Sequence, residues 1–138
     1  MTNDQVRMTK VENEGKEFDL QERTAVFSER TLAFCRKIPR NVLTRPLISQ
    51  LVRSATSIGA NYCEADNSLT RKEFKYRIGI CRREARETEY WYRLLMAAVP
   101  EFIHEATELR QEAIEFNLIF SKTIRTIEEN DKKDQDSE

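Results

Sequence analysis

The sequence predicts an all-α fold, an antiparallel up-down-up-down four-helix bundle. Three observations carry this expectation. Gly and Pro are scarce, three each in 138 residues, with 34% of residues charged and 39% hydrophobic, the composition of a helix-rich soluble chain. Apolar residues recur three and four apart through four long stretches, the period of a helix with one buried face. The joints between the stretches are short, and short joints favour antiparallel neighbours. The length allows one domain with a real hydrophobic core, not two.

The first helix is expected from about Asp19 to Ile38, ending at Pro39-Arg40-Asn41. Its stripe is Leu20, Thr24, Phe27, Thr31, Phe34 and Ile38, and Asp19 suits the N-cap because its side chain accepts from the free amides of the first turn. The second starts near Thr44-Arg45-Pro46, where Pro is tolerated, and runs to about Ala65 on Leu47, Leu51, Ser54, Ile58 and Tyr62. Its run Ser54-Ala55-Thr56-Ser57-Ile58-Gly59-Ala60 lacks bulk. Gly59 inside a helix costs roughly 1 kcal/mol relative to Ala, which close approach of another helix justifies better than a phosphate-cradling loop, since no Gly-rich pattern surrounds it.

The third stretch opens on Thr70 and Glu73 at capping-box spacing and continues uninterrupted to Ala98. Phe74, Ile78, Cys81, Ala85, Thr88, Tyr92 and Leu95 repeat at alternating fours and threes, a heptad-like seam. A second stripe beside it, Ile80, Glu84, Glu87, Trp91 and Leu94, implies packing on more than one neighbour. Pro100 ends the helix. The fourth, from about Glu101 to Ile127, carries Ala106, Leu109, Ala113, Phe116, Phe120, Thr123 and Ile127. The organisation expected is a flexible polar tail over 1–17, the bundle over 18–128, and an acidic disordered tail over 129–138 without apolar anchors.

Several functional classes fall away. Met1 to Lys16 is polar and charged, which argues against a secretory signal, and no stretch approaches the roughly 20 apolar residues of a membrane span. Cys35, Cys63 and Cys81 are odd in number and far apart, neither a disulfide framework nor a metal pair. Each sits in an apolar pattern and reads as a small buried hydrophobe, and the expected compartment is the cytoplasm. Glu84 and Glu87, with Glu64, resemble the carboxylates of di-iron bundles, but those sites want Glu-x-x-His on paired helices, and His104 is the one histidine. Pairing of Glu84 or Glu87 with Arg53 beside Trp91 is the simpler expectation. With no nucleophile set and no phosphate loop, the chain reads as a non-enzyme with no cofactor, metal or small-molecule substrate.

Charge is segregated. Residues 1–22 carry net −3, residues 23–93 net +8, and residues 94–138 net −6, which leaves −1 overall. On the third helix Lys75, Gly79, Arg82, Arg86, Tyr90 and Arg93 share one face, flanked by Arg83. Glu87 and Glu89 stand four residues from Arg83 and Arg93 and partly neutralise them. Arg82 and Arg86 repel each other, which invites an outside anion or another subunit. Glu101, Glu105, Glu108, Glu112 and Glu115 make an equally continuous acidic face on the fourth helix. Two readings stand: Lys75, Arg82, Arg83, Arg86 and Arg93 contact nucleic-acid phosphates, or the basic stripe meets the acidic one within or between subunits.

Leu51-Val-Arg-Ser-Ala-Thr-Ser-Ile-Gly-Ala-Asn-Tyr-Cys-Glu-Ala65 and Arg83-Glu-Ala-Arg-Glu-Thr-Glu-Tyr-Trp-Tyr-Arg-Leu-Leu95 resemble the two signatures of the bacterial four helix bundle protein family, which includes the 23S ribosomal RNA intervening-sequence proteins. The resemblance spans about residues 18–127; Tyr62-Cys63 departs from the small aliphatic residues of that pattern. It implies a small antiparallel bundle, often a pentamer, with Arg53, Glu84, Glu87 and Trp91 in the shared motifs. A related bundle, the accessory variability determinant of diversity-generating retroelements, binds a reverse transcriptase and nucleic acid through a basic surface. The expected partners are therefore further copies of the chain and RNA or a reverse transcriptase. The rival expectation is a protein–protein scaffold without nucleic acid.

Overall fold

The computed structural model describes residues 19–137. Four helices follow one another: α1 (Leu20–Lys37), α2 (Thr44–Asp66), α3 (Arg71–Ala98) and α4 (Ile103–Asp136), with a 3-10 turn at Pro100–Phe102 before α4. No strand occurs among the described residues. None of their helices is long and apolar enough to cross a membrane. The stretch expected as an N-terminal tail, 1–17, lies outside the described residues.

The helix starts are built by side chains. Asp19 Oδ1 accepts from the Glu22 amide at 3.0 Å, and Thr70 Oγ1 accepts from the Glu73 amide at 3.1 Å, caps worth about 1 kcal/mol each. Before α2, Asn41 Oδ1 accepts from the amides of Leu43 and Thr44 at 2.9 and 3.0 Å. Thr44 Oγ1 in turn accepts from the Asn41 amide and donates to the Pro39 carbonyl. The Pro39-Arg40-Asn41 break is thus a closed turn that also starts the next helix.

Contacts that climb one helix descend its neighbour. Gln21, Thr24 and Ser28 of α1 meet Cys63, Gly59 and Ala55 of α2. A Cβ at Gly59 would stand 3.2 Å from Thr24 Oγ1, so the small-residue run does admit a close helix. Between α2 and α3, Thr88 Oγ1 lies 2.9 Å from Ser54 Oγ, Cys81 Sγ donates to the Ile58 carbonyl at 3.5 Å, and Arg77 Nη1 donates to Asn61 Oδ1. Between α3 and α4, Arg110 Nε donates to the Glu89 carbonyl, Asn117 Nδ2 to the Arg82 carbonyl, and Arg71 Nη1 to Asp131.

All seven members of the α3 seam, Phe74 to Leu95, are buried. Tyr92 sits at the centre, its ring 5.6 Å from Phe34 and 6.4 Å from Phe27, and its hydroxyl 2.7 Å from Thr31 Oγ1. Thr31 and Tyr92 therefore satisfy each other inside the core, as buried polar groups generally do. Cys35 and Cys81 are buried as expected; Cys63 is half-buried.

Two expectations on α4 are corrected. Ile124 is buried where Thr123 was expected; Thr123 is half-buried and bonds back to the Ile119 carbonyl. A strict seven-residue repeat drifts by about 20° per heptad around a straight helix, so Ile124 takes the place of Thr123 while Ile127 is buried as expected. The acidic segment expected to be disordered over 129–138 is helical as far as Asp136. Asp131 and Asp134 share a face, and both pair with Arg71 at the start of α3, at 2.7 and 3.3 Å. These anchors are ionic rather than apolar, so hydropathy did not reveal them.

Replacing Tyr92 with Phe keeps the ring packing and strands the Thr31 hydroxyl, so stability in urea should fall by about 1–2 kcal/mol. Burial also pushes the thiols of Cys35 and Cys81 up from 9.0, to about 11 and about 12. The unfolded chain then loses these protons first, so their contribution is whole below pH 9 and lost as pH climbs through the folded values. The urea midpoint should fall between pH 9 and pH 11, and less steeply in Cys81→Ala.

Candidate nucleic-acid interface

On α3, Arg82, Arg83, Arg86 and Arg93 are exposed and Lys75 is half-buried. None of the five makes an ion pair among the described residues. The neutralisation expected from Glu87 and Glu89 is not formed. Glu87 turns to Arg53 on α2. Glu89 is half-buried, and burial pushes its carboxyl above the ordinary carboxylate range, against the pull of Arg110 and Arg86.

Within the chain the acidic face of α4 is met by α1, not by the basic stripe of α3. Arg23 Nε and Nη2 fork onto Glu112 at 2.9 and 2.7 Å, with Glu115 at 3.9 Å. Arg30 lies 3.9 Å from Glu108, and Lys37 pairs with Glu105. The cations of α1, seven residues apart, meet acids three and four apart on α4. That seven-residue spacing of Arg23, Arg30 and Lys37 is the signal in the sequence, weaker than the richer stripe on α3.

Two adjoining hollows run between α3 and α4. The first, of about 440 Å³, is lined by Lys72, Lys75, Tyr76, Gly79, Ile80, Arg82, Arg83, Ile124 and Glu128. The second, of about 320 Å³, is lined by Arg82, Arg83, Arg86, Asn117 and Ser121. The fold therefore gathers four of the five candidate cations and leaves Arg93 apart, seven residues beyond Arg86 and about 10 Å further along the axis. Lys72, Tyr76 and the α4 residues escaped the sequence reading. Tyr76 lies outside the apolar seam, and an exposed aromatic beside a cationic row is the signal that could have found it.

Arg53 is brought to both motif glutamates. Its Nη1 lies 3.3 Å from Glu84 Oε2 and its Nη2 pairs with Glu87, while its Nε donates to Gln50. Trp91 packs half-buried against the core, 5.1 Å from the Tyr90 ring. Its indole Nε1 is buried with no hydrogen-bond partner among the described residues. No group of three or more His, Cys, Asp or Glu side chains among those residues comes together to hold a metal. Glu64 and His104 are both exposed.

The model of the 23S rRNA-intervening sequence protein family matches residues 16–122, and so takes in α1 to α3 and more than half of α4. The chain belongs to this family. Among solved structures, this family member is similar to a protein of unknown function from the S23 ribosomal protein family of Bacteroides thetaiotaomicron. The two are 27% identical with a TM-score of 0.67, over 75% of this chain and 96% of that one. No curated protein matches.

The bonds from α1 to α4 differ enough to be ranked. The Arg23 side chain is 13% exposed and lies 5.2 Å over the Phe116 ring, whereas Arg30 is 49% exposed and its acid 74%. Arg23→Ala should cost about 2 kcal/mol, the range of a charged hydrogen bond with its partner left half-buried. Arg30→Ala should stay within about 0.5 kcal/mol of wild type. Urea unfolding of the two variants checks the order.

Proposed function

We propose that this family member is a non-catalytic cytoplasmic bundle of up-down-up-down antiparallel topology that associates with nucleic acid through the basic face of α3. The opposed order of contacts between neighbouring helices supports the topology. One observation carries the nucleic-acid reading. Glu105, Glu108 and Glu112 of α4 pair with α1, and none of Lys75, Arg82, Arg83, Arg86 and Arg93 makes an ion pair among the described residues. Cations left in this state attract phosphates, whose release of counterions drives sequence-independent binding. Assembly into a homo-oligomer, a pentamer by the family resemblance, would repeat the face around the assembly. The half-buried Ile80, Trp91 and Leu94 beside the seam support a neighbouring copy.

The test is a salt titration of RNA binding by the full chain. Log affinity should fall against log salt with a slope of roughly −2 to −4, as expected for three to five phosphates. The doubly substituted Arg82→Glu, Arg86→Glu protein should stay folded and lose RNA, while Arg30→Glu should retain it. A wild-type protein that holds no RNA at low salt, or a folded double variant that binds as before, overturns the reading. A double variant that falls to monomer while wild type ignores RNA identifies a protein–protein scaffold instead.

A further inference from the structure

Gly59 and Gly79 both lie inside helices, where glycine weakens the helix relative to alanine. Packing explains the first, since a Cβ there would press on Thr24. It does not explain the second. A Cβ on Gly79 would meet nothing within 4 Å, so the fold itself has no need of the missing side chain. What the glycine does is leave bare the floor of the larger hollow between α3 and α4.

The surroundings of that bare patch are those of a stacking site. Tyr76, three residues earlier and on the same face, is 63% exposed, and the Arg77 guanidinium lies 5.8 Å from its ring centroid. Ile80 and Ile124 supply apolar wall, and Lys72, Lys75, Arg82 and Arg83 supply cations on either side. A volume of about 440 Å³ lies within the range of small-ligand pockets, roughly 300–1,000 Å³. A purely electrostatic surface has no use for an exposed ring beside an open apolar floor.

We infer that this groove takes a single-stranded nucleic acid, one base lying over Gly79 against Tyr76 with its flanking phosphates on Lys75, Arg82 and Arg83. The inference rests on the nucleic-acid reading above and narrows it to unpaired strands. In a duplex each base face is covered by its neighbours, so only an unstacked base can offer its face to an aromatic ring. The groove also has a direction. Glu128 closes the end beside Lys72 and repels phosphate, while the other end opens into the hollow of Arg86, Asn117 and Ser121. The strand leaves toward Arg86.

The test compares labelled oligouridine with the same strand paired to oligoadenosine, by fluorescence anisotropy at low salt with the full chain. Tyr76→Ala should weaken oligouridine binding roughly tenfold, in line with the loss of one stacked base, and leave the duplex unchanged. Tyr76→Phe should bind like wild type. Gly79→Leu fills the floor at a position open enough to keep the helix, and should weaken the single strand alone. If Tyr76→Ala and Gly79→Leu bind oligouridine as wild type does while Arg82→Glu with Arg86→Glu abolishes binding, the basic face stands and the groove is refuted. Equal losses on strand and duplex also refute it. A wild type that retains neither nucleic acid refutes the groove together with the reading beneath it.

Discussion

The fork of Arg23 onto Glu112 is the interaction on which the charge distribution of the molecule depends. It is the least exposed of the ion pairs from α1 to α4, and it has phenyl surface beneath it. By seating the first cation of α1 on the acidic face of α4, it sets the register that carries Arg30 to Glu108 and Lys37 to Glu105. With Glu105, Glu108 and Glu112 paired to α1, no arginine of α3 outside Arg71 meets an acid of α4 in an ion pair among the described residues.

The buried polar contacts do comparable work in placing α3. Thr31 to Tyr92 ties α1 to α3, and Ser54 to Thr88 ties α2 to α3. A hydroxyl slipped by one residue in either pair would be left unsatisfied in the core, which costs more than the bond gains. Apolar seams tolerate such slips far better, since Leu, Ile and Phe pack non-directionally. Register in this bundle is therefore held by a few hydroxyls inside and by arginine–carboxylate forks at its margins, Arg53 with Glu84 and Glu87 among them.

The helices were legible in the sequence because their signals are local. Caps at Asp19 and Thr70, stops at Pro39 and Pro100, and the seven-member seam of α3 each need only neighbouring residues to be read. Pairing between helices is not local, and there the reading divided. The pairing of Arg53 with Glu84 and Glu87 is legible because carboxylates beside an apolar seam need a cation and the adjoining helix supplies one. The α1 partner of the α4 acids is less legible, because composition singles out the helix with the most arginines, whereas the folded chain places α1 against those acids. The helical end of α4 was missed for a related reason. Hydropathy sees no anchor after Ile127, yet Arg71 holds Asp131 and Asp134 from sixty residues away in the chain.

That extension also bears on how far the basic face reaches. Where α4 continues past Ile127 it brings Glu128 against Lys72 and Lys75, and Asp131 and Asp134 against Arg71. The acidic end of α4 is thereby held near the beginning of α3, whereas beside Arg82, Arg83 and Arg86 α4 offers Asn117 and Ser121 rather than acids. A net charge of −1 arises because acids outnumber cations at both ends of the chain. It says nothing about the middle, since exposed charges more than a Debye length apart, about 8 Å at physiological salt, are largely screened from one another. A phosphate approaching Arg86 meets that local cluster and not the sum.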